Sequence, residues 1–346
     1  MIVDDYKYKL PNELIANKPA EPRDAARLMI YSTATDEIVF DTFANISRYL
    51  PGGSLLVLND TKVVPARMPL TKVTGGTVNI LFLMNEWNGG TTIKGLPDRM
   101  IVPGEALYLV NRPVAEVVSN VREEFTFNLK VTPDQFRQLC EVYGRTPLPP
   151  YIHSDLPEER VRVEYQTTYA ARPASVAAPT ASLHFTDRVF AALEAKEIQR
   201  TYVTLHVGRG TFSPVTADME KTGKLHAEPI HISGESAELI RATKAAGKPV
   251  IASGTTAIRL LESAPDQILA GQSYDGETAL FIRPPYQFRV ADALITNFHL
   301  PGTSLLSLLD AFLQSKQSRK SWRDLYDVAV RDHFRFYSFG DAMLIL

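Results

Sequence analysis

Residues 250–263, VIASGTTAIRLLES, combine a predicted buried strand with the start of a helix. The first four residues form a short apolar run typical of a buried strand, and a helical pattern starts directly after Gly254. The same alternation extends along the chain, with predicted strands at 54–58, 201–207, 278–282 and 292–296 and predicted helices at 235–246, 303–314 and 321–333. Strands that alternate with helices predict an α/β fold with a mixed, mostly parallel sheet flanked by helices.

Residues 70–131 follow a different pattern. They carry the short apolar runs VNILFLM, ALYLV, VAEVVS and EFTFNLKV, which Gly, Pro, Asn and Asp separate. Closely spaced short strands with turn signals predict a small β-barrel or sandwich. Thr132 then has the pattern of a helix N-cap, with Pro133 at the first helical position and Gln135 completing a capping box. The proline-rich segment 146–153 is a natural crossing between two domains.

Length and composition limit the classes of protein to consider. The chain has 346 residues, a formal net charge of -2 and 45% hydrophobic residues, which predicts a two-domain globular protein without a generally basic surface. Cys140 is the single cysteine and lies at helical core spacing, so we expect a buried thiol in a reducing compartment. Neither a signal peptide nor an apolar run of membrane-spanning length is visible, and we expect a cytoplasmic protein with no membrane contact.

Three polar clusters each follow an apolar strand directly. The first is residues 206–212, where two glycines flank an arginine, and the second is residues 253–256, which precede a helix. The third is residues 296–301, which contain Asn297 and His299. Ligands of open α/β sheets bind beyond the carboxyl ends of strands, so these clusters predict a binding site. Each also has a plainer interpretation: a tight turn with a surface arginine, a simple helix cap at Thr255, and a structural histidine.

The seven histidines raise the question of a metal site. His226 and His231 are five residues apart with Glu228 between them, a spacing that matches neither a zinc-protease helix nor a zinc finger. We therefore predict no metal. The chain also has no GxSxG elbow and no GxGxxG fingerprint, so a hydrolase or a dinucleotide-binding protein has no motif support.

Taken in order, these clusters and further segments resemble the S-adenosylmethionine:tRNA ribosyltransferase-isomerases of queuosine biosynthesis, nearly from end to end. LPNELIANKPAEPRDAARLM, SVAAPTASLHFT and LITNFHLPGTSLLSLL are among the longest matching stretches. All matching stretches are residues 10–29, 55–67, 147–152, 165–170, 175–186, 203–212, 254–263, 294–309 and 334–344. No single stretch is decisive, but nine in the right order over the whole length are specific.

The resemblance implies an α/β catalytic domain formed by residues 1–64 and 151–346, with a β-barrel domain inserted at residues 65–150. It also implies a reaction in which the ribosyl part of S-adenosylmethionine moves onto 7-aminomethyl-7-deazaguanine at the wobble position of tRNA. The ribose rearranges to give epoxyqueuosine, and adenine and methionine leave. S-adenosylmethionine is then a substrate, and no cofactor is implied.

The chemistry implied by the resemblance suggests roles for particular residues. A base must remove a proton from the ribose carbon next to the sulfonium, and an acid would help adenine to leave. The candidates for these acid and base roles are His184, His206, His226 and His299. The candidates for substrate binding are Asn59, Asp60, Arg67, Arg209, Gly210, Thr211, Gly254, Thr255, Thr256, Asn297 and Asp341, with Asp341 facing the methionine amine.

Several positions depart from the family pattern close to these candidates. Ser182 and Arg209 stand where the family has Gly and Ala, Gly223 replaces the first of two paired histidines, and Arg283 and Glu164 are also unusual. Two alternatives therefore stay open at this point. One is a paralogue of the same fold with another acceptor or reaction, and the other is an inactive RNA- or nucleotide-binding relative.

Overall fold

The computed structural model describes residues 5–121, 124–149, 151–152, 156–211 and 215–346, and for Thr211 it describes the backbone alone. The strands are β1 (Arg27–Ser32), β2 (Glu37–Thr42), β3 (Leu55–Asn59), β4 (Thr61–Val63), β5 (Arg67–Lys72), β6 (Thr77–Phe82), β7 (Thr92–Pro97), β8 (Ala106–Leu109), β9 (Arg112–Val121), β10 (Glu124–Leu129), β11 (Arg172–Ser175), β12 (Gln199–Leu205), β13 (Lys224–Ile232), β14 (Val250–Ser253), β15 (Tyr274–Leu280), β16 (Ala293–Asn297) and β17 (Ala342–Ile345). The helices are α1 (Pro133–Tyr143), α2 (Glu158–Glu164), α3 (Asp187–Glu194), α4 (Ala217–Thr222), α5 (Gly234–Ala245), α6 (Thr255–Ser263), α7 (Pro265–Leu269), α8 (Ser304–Ser315) and α9 (Trp322–Arg331).

The main sheet of the described residues has nine strands in the order β15-β13-β12-β3-β14-β16-β17-β1-β2. Its centre, β12 to β16, is parallel, with Val57 paired to Thr201 on one side and to Ala252 on the other. Every residue of β3, β14 and β16 is buried, as expected for central strands covered on both faces. The predicted α/β class is confirmed. The sheet is mixed because the strand pairs at its two edges and the internal pair β16–β17 are antiparallel.

Successive residues of a central strand point into two different cores. Val57 belongs to the core under α5, α6, α8 and α9, whereas Leu56 belongs to the core that includes residues of α3. Because side chains alternate between the faces of a strand, an apolar run fills both cores at once. The continuous hydrophobic character of residues 54–58 in the sequence therefore reflects burial on both faces.

Strands β5 to β10 form a separate closed barrel in the order β10-β7-β6-β5-β8-β9. Phe82 lies at its centre and makes edge-to-face contacts with Phe127 and with Phe136 of α1. The predicted capping box is confirmed, because Thr132 Oγ1 accepts from the Gln135 amide at 3.2 Å and Gln135 Oε1 accepts from the Thr132 amide at 3.2 Å. The barrel strands fall inside residues 65–150, although the boundaries of that insertion stay a prediction.

Strand β13 is the main element that sequence patterns did not reveal. Its sequence, KLHAEPIHI, contains two histidines, a glutamate and a proline, so it lacks the apolar run that marks the central strands. It nevertheless pairs with β12 and β15, and Glu228, Ile230 and Ile232 on one face are buried. This strand has a direct consequence for the site, because it carries His226 and Glu228.

Candidate active site

A cavity of about 490 Å³ lies at the carboxyl ends of β14 and β16, where the sequence predicted a binding site. Its volume is in the range of small-molecule sites. The predicted site residues that line it are Gly210, His226, Gly254, Thr255, Thr256, Asn297 and His299. Residues from the β14–α6 turn, the β16–α8 loop and β13 are thereby brought together from distant parts of the chain.

The turn between β14 and α6 forms one wall of this cavity. Gly254 is the N-cap of α6 with a φ of 91°, a left-handed conformation that glycine adopts without strain. No side chain caps this helix end, so the plainer interpretation of Thr255 as the cap is wrong. The hydroxyl of Thr256 accepts a hydrogen bond from Asn59 Nδ2 at 3.0 Å. The first-turn amides of α6 are left without a side-chain partner at the cavity, as in an anion-binding helix terminus.

The loop after β16 supplies a second wall. Thr180 Oγ1 donates to Asn297 Oδ1 at 2.9 Å, which fixes the orientation of the amide. The Nε2 atom of His299 lies 2.9 Å from Thr296 Oγ1, and the His299 backbone amide donates to the Tyr326 hydroxyl at 2.8 Å. Burial lowers the pKa of His299 to about 3, so its imidazole is neutral at physiological pH. His299 can therefore orient a substrate by hydrogen bonding but is a poor proton acceptor near pH 7.

The third wall comes from β13 and α6 and includes two residues that sequence reasoning missed. Glu228 is 4% exposed and accepts hydrogen bonds from the Gly208 amide at 2.9 Å and from Arg259 Nη1. Arg259 also donates from Nε to the Leu280 carbonyl at 3.2 Å, whereas its buried Nη2 has no hydrogen-bond partner among the described residues. Arg259 follows Thr255 by four residues, so the helical period put it on the cavity face; that signal was available in the sequence.

His226 lies on the same face of β13 as Glu228 and lines the cavity, half-buried. Burial lowers its pKa, and the positive charge of Arg209 lowers it further, while the carboxylates of Glu86, Glu228 and Glu124 act in the opposite direction. Of the four candidate histidines, His226 alone combines a position at the cavity with partial solvent contact. It is therefore best suited to accept a proton near neutral pH.

Two of the four candidate histidines do not line the cavity. His184 is 4% exposed, its ring centroid lies 5.0 Å from that of Phe43, and burial lowers its pKa to about 4. His206 bonds through Nδ1 to Thr61 Oγ1 at 2.7 Å, and burial together with the charge of Arg172 lowers its pKa to about 4. Their surroundings are those of structural, neutral imidazoles.

The buried neutral state of His184 predicts an acid-sensitive contribution to stability. Its unfolded pKa is near 6.5 and its folded pKa near 4, so the unfolded chain binds more protons below pH 6.5 and the folded state loses stability as pH falls. Between pH 7 and pH 5 this amounts to about 2 kcal/mol. Urea unfolding of His184→Gln and of the unsubstituted protein at both pH values should show this difference in pH dependence. Identical losses in both proteins would contradict it.

Arg209 is engaged by the barrel and does not line the cavity. Its Nη1 forms an ion pair with Glu124 of β10, and Glu124 also pairs with Lys94 at 3.0 Å. Arg283 similarly donates to the Glu220 carbonyl at 2.8 Å, and Ser182 Oγ lies 2.8 Å from Ser253 Oγ. The unusual side chains at these positions thus have internal partners.

Asp341 is fully buried and does not line the cavity. Its carboxylate accepts hydrogen bonds from the Arg27 amide at 3.0 Å, the Arg335 amide at 2.8 Å, and the Arg335 guanidinium at 2.9 and 3.1 Å. Both oxygens therefore accept from backbone or side-chain donors, three of them on Oδ1 and one on Oδ2. The carboxylate holds the loop 335–341 that leads to Tyr337 and Ser338, which line the cavity.

Asn59, Asp60 and Arg67 do not line the cavity. Asn59 is buried and bridges β3 and β12 by bonding to the Leu205 amide and carbonyl at 3.1 and 3.0 Å. Asp60 accepts from Thr204 Oγ1 at 2.6 Å, and Arg67 begins β5 with backbone bonds to Arg145. The side chain of Thr211 lies outside the described part of the structure.

No group of three or more His, Cys, Asp or Glu side chains among the described residues could hold a metal ion. In the same residues, no helix has the length and apolarity needed to cross a membrane.

Comparison with known proteins identifies relatives over the whole length of the chain. The family described as "Queuosine biosynthesis protein" matches residues 3–345. The S-adenosylmethionine:tRNA ribosyltransferase-isomerase of Thermus thermophilus is 44% identical over 99% of this chain and 99% of the relative, and that of Thermotoga petrophila is 42% identical over 100% of both.

A solved structure gives the same result at the level of the fold. The crystal structure of S-adenosylmethionine tRNA ribosyltransferase from Thermotoga maritima is 32% identical, with a TM-score of 0.56, over 99% of this chain and 100% of that chain. Both the sequence relatives and this structure extend over the barrel as well as the main sheet.

Proposed function

Since this chain belongs to the queuosine biosynthesis family of S-adenosylmethionine:tRNA ribosyltransferase-isomerases, we propose that the cavity beside β13 and β14 is the active site for that reaction. The enzyme transfers the ribosyl moiety of S-adenosylmethionine to 7-aminomethyl-7-deazaguanine in tRNA and isomerises it to the epoxycyclopentane of epoxyqueuosine. Adenine and methionine are released. The observation that carries the assignment of the site is that Arg259, His226 and the uncapped start of α6 line one cavity.

The amino acid part of S-adenosylmethionine needs a partner for its carboxylate. Thr255, Thr256 and Arg259 of α6 lie on one side of this helix and line the cavity, and Nη2 of Arg259 is buried without a hydrogen-bond partner among the described residues. Amides at a helix start and a guanidinium are the donors that a carboxylate binds well. We therefore assign the methionine carboxylate to this wall.

The sulfonium of S-adenosylmethionine acidifies the protons on the adjacent ribose carbon, so the reaction starts with a proton transfer to a base. The half-buried imidazole of His226 is the candidate base, because its lowered pKa leaves it unprotonated at neutral pH. Asn297 and the neutral His299 are donors and acceptors held in fixed orientations, suited to hold the ribose or adenine. The acceptor amine then attacks the sugar as adenine leaves.

The acceptor is tRNA that carries 7-aminomethyl-7-deazaguanine at the wobble position, and the reaction takes place in the cytoplasm. The formal net charge of -2 means that RNA binding does not come from a generally basic surface. Recognition of a short RNA region by shape and by base contacts fits such a charge.

Purified protein incubated with S-adenosylmethionine and this tRNA should produce epoxyqueuosine, detected by mass spectrometry of the digested tRNA, and one adenine for each modified nucleoside. The enzyme of Thermotoga maritima, assayed in parallel, is the positive control. Release of adenine without modified tRNA would indicate a different acceptor. Absence of both products, with the control active, would refute the proposal.

A further inference from the structure

Tyr151 and Tyr337 line the cavity but have no role in the proposed proton transfer or in binding of S-adenosylmethionine. Tyr151 belongs to the proline-rich segment 146–153, and 60% of its surface is exposed although it lines the cavity. Tyr337 also lines the cavity, and its ring lies 6.0 Å from that of Tyr151 at an interplanar angle of 87°. In a right-angle contact the edge of one ring meets the face of the other, so each ring keeps at least one face that its partner does not cover.

The backbone at Tyr337 has an uncommon conformation that hydrogen bonds to its neighbours hold. Tyr337 has a φ of 74°, a left-handed conformation that bulky side chains rarely adopt. Its amide donates to the Phe298 carbonyl at 2.9 Å, and its carbonyl accepts from the Gly340 amide at 3.0 Å. The carboxylate of Asp341 joins the two ends of the same loop through its hydrogen bonds to Arg335. Strained backbone conformations of this kind persist where the surrounding structure holds them, and they cluster at functional sites.

An exposed aromatic ring at the mouth of a cavity is suited to one class of ligand in particular. Every nucleobase has a flat aromatic face, and single-stranded RNA bases that leave their stack are commonly received on Tyr, Phe or Trp side chains. The acceptor base must leave the anticodon stack for its amine to reach a sugar inside the cavity. The two tyrosines stand at the cavity where such a base would arrive.

We propose that Tyr151, held edge-to-face by Tyr337, stacks on the acceptor base of the tRNA at the mouth of the active site. The inference rests on the proposed function, because it takes the acceptor to be a base in RNA. Asp341 is then a positioning residue, since it fixes the loop that carries Tyr337 without lining the cavity.

The test measures the affinity of two anticodon stem-loops, one carrying 7-aminomethyl-7-deazaguanine and one abasic at the same position, by fluorescence anisotropy. Tyr151→Ala should weaken binding of the first RNA roughly 5- to 150-fold, the range that corresponds to loss of one stacked base. Binding of the abasic RNA and of S-adenosylmethionine should be unchanged. Tyr151→Phe keeps the ring and should bind both RNAs as the unsubstituted protein does.

Tyr143→Ala is the matched control, because Tyr143 is 43% exposed on α1 and does not line the cavity. Equal weakening of both RNAs by Tyr151→Ala would show that the ring contacts another part of the RNA and would overturn the proposal. A loss of affinity for the modified RNA no larger than that caused by Tyr143→Ala would also overturn the proposal. Turnover of the unsubstituted protein on the same RNA separates the two hypotheses. An inactive protein would refute the proposed function. An active protein whose RNA affinity does not depend on Tyr151 would refute only the stacking.

Discussion

His226→Gln is expected to lower the turnover number about 10²- to 10⁴-fold, the range for loss of a general base. Glutamine retains a hydrogen-bonding side chain of similar length but cannot accept the proton. Because the pKa of His226 is lowered from 6.5 by burial and by Arg209, the unprotonated, active form predominates at neutral pH. The turnover number should therefore fall as pH drops through a value below 6.5, and this acid limb should be absent from the residual activity of the variant.

His231→Gln is the matched control for that measurement. His231 lies on the same strand five residues further on, but it bonds to Asp275 and does not line the cavity. It should keep nearly full turnover. Equal losses in both variants would indicate that the strand, and not the imidazole of His226, is required.

Arg259→Met is expected to reduce the free energy of unfolding by about 3–5 kcal/mol, because it leaves the carboxylate of Glu228 buried without its cation. Glu228 is 4% exposed and Arg259 is 8% exposed, and both line the cavity, so water replaces the lost partner only in part. Turnover should also be lost, since Nη2 of Arg259 is the proposed contact to the methionine carboxylate. Urea unfolding and isothermal titration with S-adenosylmethionine measure the two effects separately.

The double variant Glu228→Gln with Arg259→Met separates stability from binding. The amide oxygen of Gln can still accept from the Gly208 amide, and no unpaired buried charge remains, so most of the lost stability should return. Binding of S-adenosylmethionine should stay weak. Recovery of both properties would show that Arg259 serves only to neutralise Glu228.

Two of the residues that differ from the family pattern, Arg209 and Arg283, do not line the cavity. Arg209 pairs with Glu124 on the barrel, and Arg283 bonds to a backbone carbonyl, so neither side chain enters the cavity. Arg209 still acts at a distance, because its charge lowers the pKa of His226. The prediction that Arg209 contacts substrate has no support from its position.

Local sequence determined a large part of this protein. The apolar run at residues 250–253 followed by Gly254, the capping box at Thr132 and the helical spacing around Cys140 all predicted elements that the structure has. These signals depend on residues that are neighbours in the chain, so the sequence alone contains them. The rule that ligands bind at the carboxyl ends of parallel strands then located the cavity.

Only the tertiary structure decided which of the polar residues share that cavity. His184 and His206 resemble His226 and His299 as sequence signals, but burial against Phe43 and a bond to Thr61 separate them from the site. Arg259 and Glu228 meet because α6 packs against β12 and β15, the two strands that flank β13 in the sheet. The polar residues of β13 concealed this strand in the sequence. Such contacts join residues that are far apart in the chain. Which residues meet depends on how the helices and strands pack against one another, and local periodicity does not contain that information.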